Sequence, residues 1–536
     1  MKDILGNFNL NNKIIKVNNR KVNYNNLFVY IKGTIFNVNS NIEEYIRDSY
    51  ITKGIEFIKE LDGNFAIVIY DKDKDELYLI KDKLGTTFLY YYYNDNELIF
   101  STSLRQIINS KNFTKEIDKQ VLSNFLGYTY IYEPYTIFKN TFKVKKGSYI
   151  KYSNNNLEEN IYFDLYKFFK ENNKKLNTDD DTLIEEFTNL FTNSLKKIGN
   201  KNSNIGVFLS SGTDSSLLTK LSKDLYNNVN TYTANFEDGN KESVYSKRIA
   251  KYIGVSNKSY EVKKKDLVGL MNIIREVYDE PFADPSILPS TYLFSHIKDK
   301  NDFIITGDSC DAMFANSSMY NIYGINHFKQ ISKKLVNIRC KKRVYHNYSE
   351  YAQVNILARF NFSDKIVGVR GKCKKVKKVD SKVRNIILFD LLNTVTEKFK
   401  VKTTSLANYY GIKNYTPYFD IDILKKTFEI NINKMHRNNK GKYIFNKILY
   451  NNIPEKYFSE YKKKGFGIPT NIWCKDVFVS EARKLSTKEF IDKQGLFIYD
   501  ELISLFNDFE QEPNYNKALV IWNYYVFQNW YKGVFK

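Results

Sequence analysis

The sequence predicts a protein of the α/β and α+β classes with two domains. The chain has 536 residues, which is more than a single hydrophobic core usually supports. Residues 1–165 contain alternating apolar segments separated by Asp, Lys and Asn turns, a pattern typical of antiparallel hairpins. From residue 180 to residue 536, helical patterns alternate with short apolar strands, which is typical of a doubly wound parallel sheet. We therefore place the domains at 1–165 and 180–536.

The best-defined hairpin of the first domain lies in NFAIVIYDKDKDELYLIKD, at residues 64–82. Phe65, Ile67 and Ile69 occupy alternate positions, so we expect them on one face of a strand. The run DKDKDE supplies the polar residues of a turn. Because similar segments recur up to about residue 165, the first domain is predicted to be built of antiparallel hairpins.

The most informative segment of the second domain is IGVFLSSGTDSSLLTKL, at residues 205–221. Its apolar run predicts a buried strand, and a helical pattern follows the small polar residues. The turn and the first helical turn direct unpaired backbone N–H groups at one spot, which favours anion binding. The residues of this predicted phosphate site are Leu209, Ser210, Ser211, Gly212, Asp214, Ser215 and Ser216.

Asp214 adds a carboxylate to the predicted phosphate site. Beside phosphates, a carboxylate makes chemical sense chiefly as a Mg²⁺ ligand. The turn contains no lysine, in contrast to the GxxxxGK[ST] loop, so it need not hold a γ-phosphate. The alternative is a Ser- and Thr-rich turn that only caps a helix.

The composition narrows the class of protein. Four cysteines (Cys310, Cys340, Cys373 and Cys474) are scattered without a CxxC pair, so neither a zinc site nor a disulfide framework is predicted. The sequence contains no apolar run of about 18 residues and no signal-peptide core. We therefore expect a cytoplasmic protein without a membrane span.

The formal net charge of +22 raises the alternative of nucleic-acid binding. Most of the lysines are spread along the chain, which indicates a solvated surface. One dense block, KIVGVRGKCKKVKKVDSKVR at residues 365–384, is interpreted either as a flexible basic loop or as a docking surface for an anionic partner. We expect no nucleic-acid partner.

Residues 61–93, LDGNFAIVIYDKDKDELYLIKDKLGTTFLYYYY, resemble the glutaminase half of asparagine synthetases. The resemblance implies an Ntn-hydrolase-like antiparallel sandwich. In that family a cysteine directly after the initiator methionine attacks the glutamine amide. Here Lys2 stands at that position, no cysteine precedes Cys310, and Lys32 replaces an asparagine of the glutamine pocket. We therefore expect no glutamine hydrolysis, and a domain that serves as a scaffold or as a surface for substrate.

Several segments of the second domain resemble the ATP domain of asparagine synthetases, in the same order along the chain. The segment at 205–221 resembles the SGGxDS pyrophosphate loop, and Ala234 matches the position whose backbone meets adenine. YDEPFADPSILPS, at residues 278–290, resembles the family's DEP segment. In DFIITGDSCDAMFA, Gly307 matches a phosphate-side glycine and Asp311 matches the second Mg²⁺ ligand.

The resemblance also assigns catalytic roles to two residues. Asp308 stands where the family has glutamate, and it would orient or deprotonate the attacking amine. KKKGFGIPTNIW, at residues 462–473, resembles the KxGFGxP element and implies that Lys463 is the catalytic lysine, with Lys462 and Lys464 as close alternatives. A fixed ammonium at this position would stabilise the leaving pyrophosphate and the developing oxyanion.

The resemblance implies a ligase that uses ATP and Mg²⁺ to convert a carboxylate into an acyl-adenylate, which an amine then attacks with release of AMP. The lost-cysteine pattern resembles that of lasso-peptide cyclases and β-lactam synthetases. We expect macrolactam closure of a precursor peptide, with a leader-peptide-binding protein or a protease as partner. The alternatives are an ammonia- or amine-dependent asparagine synthetase-like ligase, a β-lactam synthetase-like cyclase, and an inactive binding or regulatory protein that keeps only the fold.

Overall fold

A computed structural model describes residues 3–10, 14–17, 22–24, 26–94, 96–237, 242–297, 300–316, 382–438, 440–459 and 469–535. Within these ranges, the amino-terminal region forms two antiparallel sheets, and the carboxy-terminal region forms one parallel sheet with flanking helices. The predicted fold class is therefore confirmed. The basic block at 365–384 falls outside the described residues except at 382–384, where a helix begins.

The two antiparallel sheets pack face to face. Their strands are β1 (Leu5–Asn9), β2 (Ile14–Val17), β3 (Val22–Tyr24), β4 (Leu27–Ile35), β5 (Gly63–Asp71), β6 (Glu76–Lys81), β7 (Tyr90–Tyr93), β8 (Glu97–Ser101), β9 (Thr141–Lys143), β10 (Ser148–Ser153) and β11 (Asn156–Ile161). In the described residues, one sheet has the order β2-β1-β8-β7-β9 and the other β11-β10-β6-β5-β4-β3. Phe8, Phe100 and Val68 share one buried core between them, so the sheets form a sandwich.

Strand β5 is buried on both faces. Phe65, Ile67 and Ile69 lie on one face as predicted, in a core that also contains residues of the helix Ile42–Lys53. Ala66 and Val68 lie on the other face, in the core between the sheets. The register pairs β5 with β6 in antiparallel fashion around the DKDKDE segment, so the hairpin prediction is confirmed.

The carboxy-terminal region contains a parallel sheet that is covered on both faces. Its strands are β12 (Asn204–Phe208), β13 (Asn228–Phe236), β14 (Ser256–Val262), β15 (Phe303–Ile305) and β16 (Lys413–Tyr415). The described strands are ordered β14-β13-β12-β15-β16, and each adjacent pair is parallel. Ile205 and Val207 point into one hydrophobic core, and Ala234 and Ile304 belong to the other. Burial on both faces explains why these strands read as short apolar runs.

The helices surround this sheet and cap the sandwich. The α-helices of the described residues are Ile42–Lys53, Leu104–Ile108, Lys119–Tyr128, Leu165–Asn172, Asp180–Lys196, Thr213–Leu225, Glu242–Ile253, Leu267–Val277, Ile287–Ile297, Cys310–Met313, Lys382–Phe389, Val401–Tyr410, Ile421–Glu429, Tyr443–Asn452, Lys456–Ser459, Thr470–Trp473, Val479–Lys484, Lys488–Gln494, Tyr499–Gln511 and Tyr515–Val534. Short 3₁₀-helices are Gly54–Glu60, Lys264–Asp266, Pro417–Phe419 and Ile432–Lys434, and π-helical segments are Asp390–Lys400 and Cys474–Phe478. Among the described residues, no helix is both long enough and apolar enough to cross a bilayer.

The two regions are joined by the long helix Tyr515–Val534. Its Asn523 Nδ2 donates to the carbonyl oxygen of Leu126 in the amino-terminal region, at 2.9 Å. Its Trp522 Nε1 donates to the carbonyl oxygen of Ala283 in the carboxy-terminal region, at 2.8 Å. Both side chains are fully buried, so the contact between the regions is a continuous packed core.

Candidate active site

A cavity of about 900 Å³ opens where the parallel strands end. Its walls come from the strand β13, from the loops after β12 and β15, from the helical residues 399–403, and from residues 441–450 at the start of the helix Tyr443–Asn452. The carboxyl ends of neighbouring parallel strands meet at one edge of a sheet, which is the usual ligand site of such folds. We call this space the reaction cavity.

The loop after β12 forms one wall of the reaction cavity and leads into the helix Thr213–Leu225. The Ser215 hydroxyl accepts a hydrogen bond from the backbone N–H of Ser210 at 3.0 Å, which closes the loop on itself. The backbone N–H and the hydroxyl of Ser211 both donate to Glu242 Oε1, at 3.1 Å each. One backbone N–H of the loop thus already donates to a carboxylate oxygen, which is the type of contact that an anion-binding turn makes.

Two carboxylates that follow two different strands, Asp214 after β12 and Asp311 after β15, lie close together in the reaction cavity. Asp214 Oδ1 and Asp311 Oδ1 both contact the Nζ of Lys442, and the Asp311 contact measures 2.7 Å. Gly307 lies directly beside Asp214, because a Cβ added there would approach the Asp214 Cβ to 3.3 Å. Both carboxylates thus contact one positive charge.

This donor set fits Mg²⁺. The ion is typically bound by one or two carboxylates, with phosphate oxygens and water as its other ligands. No cluster of three or more His, Cys, Asp or Glu side chains suited to a metal occurs in the described ranges. The Asp214 and Asp311 carboxylates would therefore hold the ion only together with the phosphates of a nucleotide.

Lys442 is held rigidly at this position. It adopts a left-handed conformation with φ of 61°, directly before the helix Tyr443–Asn452, and its N–H donates to the carbonyl oxygen of Phe314 at 2.7 Å. At the preceding Gly441, a Cβ would lie 2.0 Å from the carbonyl oxygen of Ala315, so only glycine permits this approach. Burial by itself would lower the pKa of Lys442, but Asp214 and then Cys310 and Asp311 raise it well above the ordinary value. The side chain is therefore a buried ammonium.

The reaction cavity also contains a second group of charged residues. Lys402 Nζ lies 3.4 Å from Asp308 Oδ1 and 3.3 Å from the Ser286 hydroxyl. Asp284 accepts a hydrogen bond from the Ser286 hydroxyl at 2.6 Å and pairs with Lys398 at 3.1 Å. Burial opposes ionisation of Asp284, but Lys398 and Lys402 outweigh it and lower the pKa of this carboxyl to about 2.

Almost all of the site residues predicted from the sequence border this cavity. Those that line it are Leu209, Ser210, Ser211, Gly212, Asp214, Ser215, Ala234, Gly307, Asp308 and Asp311. Ser216 lies behind the loop, fully buried, where its hydroxyl donates to the carbonyl oxygen of Gly212 at 2.7 Å. Lys463 and its alternatives Lys462 and Lys464 lie outside the described residues.

Among the cavity residues that were not predicted from the sequence are the charged residues Glu242, Asp284, Lys402 and Lys442. Glu242 begins a helix, and the two lysines belong to segments rich in Lys and Asn, so no local pattern separates them from surface residues. The glycine at 441, directly before Lys442, is the one feature of the sequence that could have drawn attention to this lysine. A glycine often marks a position where two backbone segments approach closely.

The amino-terminal residues singled out in the sequence lie away from the reaction cavity. Lys32 is buried and its Nζ donates to Asp3 Oδ1, whereas Lys2 lies outside the described residues. Asp279 of the DEP segment accepts hydrogen bonds from Arg105 Nε at 3.1 Å and from the Ser103 hydroxyl at 2.8 Å. The DEP segment thus joins the two regions.

Comparisons with known proteins agree with this architecture. Residues 186–532 match the family described as "Asparagine synthase", and residues 9–163 match the "Glutamine amidotransferase domain". The chain is 29% identical, over 64% of its length and 67% of the relative's, to "Putative asparagine synthetase [glutamine-hydrolyzing] 2" of Methanocaldococcus jannaschii. It is 23% identical to "Asparagine synthetase [glutamine-hydrolyzing] 1" of Bacillus subtilis, over 93% of this chain and 82% of that protein.

Among solved structures, the chain is similar to the U34-tRNA thiolase NcsA from Methanococcus maripaludis. The identity is 14%, the TM-score is 0.22, and the match covers 52% of this chain and 77% of that chain. A likeness of this size carries no argument about function. The family match, in contrast, spans well over half of the sequence and includes every described residue of the reaction cavity. The chain therefore belongs to the asparagine synthase family and is an ATP-dependent carbon–nitrogen ligase.

Proposed function

We propose that this protein forms an amide bond by activating a carboxylate with ATP, through an acyl-adenylate and with release of AMP and pyrophosphate. The observation that carries this proposal is the reaction cavity itself. The predicted phosphate loop, the Asp214 and Asp311 carboxylates and the Asp308–Lys402 pair all border it. A volume of about 900 Å³ has room for a nucleotide beside an acid substrate.

In the first step, the substrate carboxylate attacks the α-phosphorus of ATP, and the bond to the β-phosphate breaks. The loop at residues 209–212 would bind the pyrophosphate through its N–H groups, and the backbone at Ala234 would contact adenine. Asp214 and Asp311 would hold Mg²⁺, which supplies charge neutralisation on the phosphates. The buried ammonium of Lys442 adds a second positive charge beside these two carboxylates.

In the second step, an amine attacks the acyl carbon, the bond to AMP breaks, and the amine nitrogen loses a proton. Asp308 also borders the reaction cavity and would accept this proton. Lys402, 3.4 Å away, would hold the Asp308 carboxylate in place. Binding of both substrates in one cavity would supply much of the rate gain.

For the substrate, we propose a precursor peptide that is closed into a macrolactam by its own amine. Two features support an amine that arrives with the substrate. Residues 1–309 contain no cysteine, so the amino-terminal region lacks the nucleophile of a glutaminase. Lys32 also fills a buried position with a charged side chain that pairs with Asp3. A leader-peptide-binding protein or a protease would then act with this chain.

A second candidate is an ammonia- or amine-dependent ligase for a small acid such as aspartate, or a β-lactam synthetase-like cyclase. The extent of one sequence match favours this second candidate, because an asparagine synthetase of Bacillus subtilis matches 93% of this chain. The two candidates share the chemistry of both steps and differ in the acid and in the amine.

The test is an ATP–pyrophosphate exchange assay with the purified chain. We expect exchange and AMP formation when the cognate acid is present, first with linear precursor peptides and then with aspartate plus ammonium. Exchange with a peptide alone supports macrolactam closure, and exchange only with aspartate supports the second candidate. Formation of ADP in place of AMP would contradict both.

A lysine series tests the position of the catalytic ammonium. We expect Lys463→Ala to leave ATP binding nearly unchanged and to suppress product formation, because the lost charge stabilises the transition state. Lys462→Ala and Lys464→Ala are the matched controls and should retain activity. Full activity of Lys463→Ala with loss in a neighbour would move the assignment to that neighbour.

A further inference from the structure

The helix Glu242–Ile253 begins at the reaction cavity and presents one face to the solvent. Glu242, its first residue, lines the cavity and is only 3% exposed. At about 1.5 Å per residue, the helix axis from residue 242 to residue 252 spans about 15 Å. The exposed face carries Val244, Lys247, Arg248, Lys251 and Tyr252. We call this face, together with the neighbouring Tyr457, the basic–aromatic strip.

The basic–aromatic strip reaches the rim of the reaction cavity at a second point. The Tyr252 ring packs against the Tyr457 ring, with the ring centroids 4.7 Å apart. The next residue, Phe458, lines the reaction cavity, and so does Tyr450, whose ring centroid lies 6.2 Å from that of Phe458. An aromatic surface therefore continues from the cavity wall to the exposed helix.

The charge of the strip is positive. Lys247 and Lys251 are both exposed, and neither forms an ion pair with a carboxylate of the described residues. Glu242 is the one acid of this helix, and it is buried and accepts hydrogen bonds from the loop after β12. The exposed Glu455, close to Tyr457 in the sequence, is followed by Lys456, so this turn adds no net negative charge.

The spacing of the two lysines is unfavourable for the helix on its own. Lys247 and Lys251 lie four residues apart, so two like charges are neighbours on one side of the helix. On the exposed helix Lys488–Gln494, the same spacing carries opposite charges, and Lys488 Nζ lies 2.9 Å from Asp492 Oδ2. A polyanion bound along the strip would relieve the repulsion, because its carboxylates attract both ammonium groups.

The apolar groups of the strip and its position beside the cavity favour a peptide as the anion. Val244 and Tyr252 are 54% and 44% exposed, one near each end of the strip, and the side chains of a peptide would bury them. At about 3.3 Å per residue, a length of about 15 Å corresponds to about five residues of extended chain. We propose that the basic–aromatic strip binds an acidic segment of the substrate peptide while the reacting carboxylate lies in the reaction cavity. The identification of this peptide as the substrate rests on the proposed function, whereas the binding itself does not.

The test measures the binding of a fluorescein-labelled decapeptide, in which glutamate and tyrosine alternate, to the full chain. The readout is fluorescence anisotropy at pH 7 and low salt. The counterparts are the same peptide with glutamine in place of glutamate, and an unlabelled single-stranded oligothymidylate of the same length as a competitor. We expect saturable binding of the acidic peptide that weakens as salt is added, because exposed charges are screened. The glutamine peptide should bind about tenfold more weakly or less, and oligothymidylate should not displace the acidic peptide at equal concentration.

Variants locate the binding on the strip. Lys247→Glu combined with Lys251→Glu should weaken binding of the acidic peptide about tenfold or more, since two attractions become repulsions. Tyr252→Ala should weaken it about threefold, because apolar contact is lost without any change of charge. Lys72→Glu combined with Lys111→Glu, at two exposed positions of the amino-terminal region, changes the net charge by the same amount and should bind nearly as the wild type does.

Absence of saturable binding to the wild type would overturn the proposal, as would equal binding of the glutamine peptide. Wild-type affinity in the variant reversed at 247 and 251 would place the peptide elsewhere, and an equal loss in the amino-terminal control would show only a general attraction to a basic chain. Displacement by oligothymidylate would assign the strip to a nucleic acid instead.

The thermal unfolding midpoint checks the folding of each variant, and Lys251→Glu alone decides if the double variant does not fold. ATP–pyrophosphate exchange is measured on the same preparations. No exchange with any acid, while the acidic peptide binds as expected, would count against the proposed function alone.

Discussion

Three individual side chains determine the charge beside the loop after β12 in the reaction cavity. Lys442 is buried between Asp214 and Asp311, and these three residues come from separate parts of the chain. Breaking a buried charge pair from one side leaves an uncompensated charge, which is costly. Loss of either carboxylate would therefore disturb the local structure as well as the proposed metal site, and a mutational test has to separate these two effects.

Asp214→Asn and Asp311→Asn should each abolish AMP formation, because an amide is a poor ligand for Mg²⁺ compared with a carboxylate. The measurement is ATP–pyrophosphate exchange, with the thermal unfolding midpoint as a check on folding. Asp224→Asn, at the exposed end of the same helix as Asp214, is the control and should remain active. Wild-type turnover in either of the first two variants would remove them from the metal site.

Asp284 should make the free energy of unfolding depend on pH in the acid range. Its folded pKa of about 2 lies below the value of an unfolded aspartate, so its contribution is present above about pH 4 and is lost as the pH falls through about 2. We expect Asp284→Asn to lower the free energy of unfolding at pH 7 by about 2 kcal/mol and to flatten this acid dependence. Urea denaturation between pH 2 and pH 7 measures both effects.

The exposed Asp73 provides the comparison for this experiment. Asp73→Asn lies in the β5–β6 turn and should change the free energy of unfolding by no more than about 0.5 kcal/mol at any pH in the range. Equal acid dependence of the Asp284→Asn variant and the wild type would show that Lys398 and Lys402 do not stabilise the ionised carboxylate.

At the scale of secondary-structure elements, a few unusual backbone conformations determine where the side chains of the reaction cavity lie. Ser309, directly before the helix Cys310–Met313, has φ of 79°, in the left-handed region that favours glycine. Its buried hydroxyl has no hydrogen-bond partner among the described residues. The turn that carries Asp308 and Asp311 is therefore held in a strained conformation by the surrounding structure, as is common at functional sites.

Ser309→Gly should raise the free energy of unfolding by about 1 kcal/mol, because relief of the left-handed strain exceeds the added flexibility of the unfolded chain. Urea denaturation checks this value. Ser309→Ala is the matched variant, since it removes the hydroxyl but keeps the Cβ at positive φ. Equal stability of the two variants would mean that the hydroxyl, and not the backbone, is the source of strain.

At the level of elements, much of the fold could be predicted from the sequence. The hairpin at β5 and β6 and the strand–turn–helix at 205–221 follow from local apolar spacing and turn residues. The π-helical segment Asp390–Lys400 could not be predicted in this way, because its distinction from an α-helix depends on packing and not on composition. This segment contributes Phe399 to the reaction cavity and Glu397 to the contact with Lys143 and Lys146.

The molecule as a whole is organised around the contact between its two regions. Lys143 and Lys146 of the amino-terminal region contact Glu397 of the carboxy-terminal region, and all three side chains are at least nine-tenths buried. Lys146 Nζ also donates to the carbonyl oxygen of Leu392, at 2.9 Å. Charges that are buried in this way are strongly destabilising when unpaired, so the regions are held in one arrangement.

Glutamine should not serve as a nitrogen source for this protein. The amino-terminal region lacks cysteine, and a lysine cannot replace a thiolate as the nucleophile. We expect no release of glutamate when the purified chain is incubated with glutamine, ATP and an acid substrate, as measured by coupled glutamate detection. Ammonium chloride in place of glutamine is the comparison. Detectable glutamate would mean that another group attacks the amide.

The sequence by itself determined the fold class and the strand–turn–helix at 205–221, because these depend on neighbours within a few residues, whereas Asp308 and Asp311 were assigned through the resemblance to a family. Only the tertiary structure placed Lys442 against Asp214, a residue 228 positions away, and only it brought Lys143 and Lys146 against Glu397 of the other region. The reason is physical. Local spacing determines strands, turns and helix ends, whereas burial and charge pairing depend on which distant segments pack together.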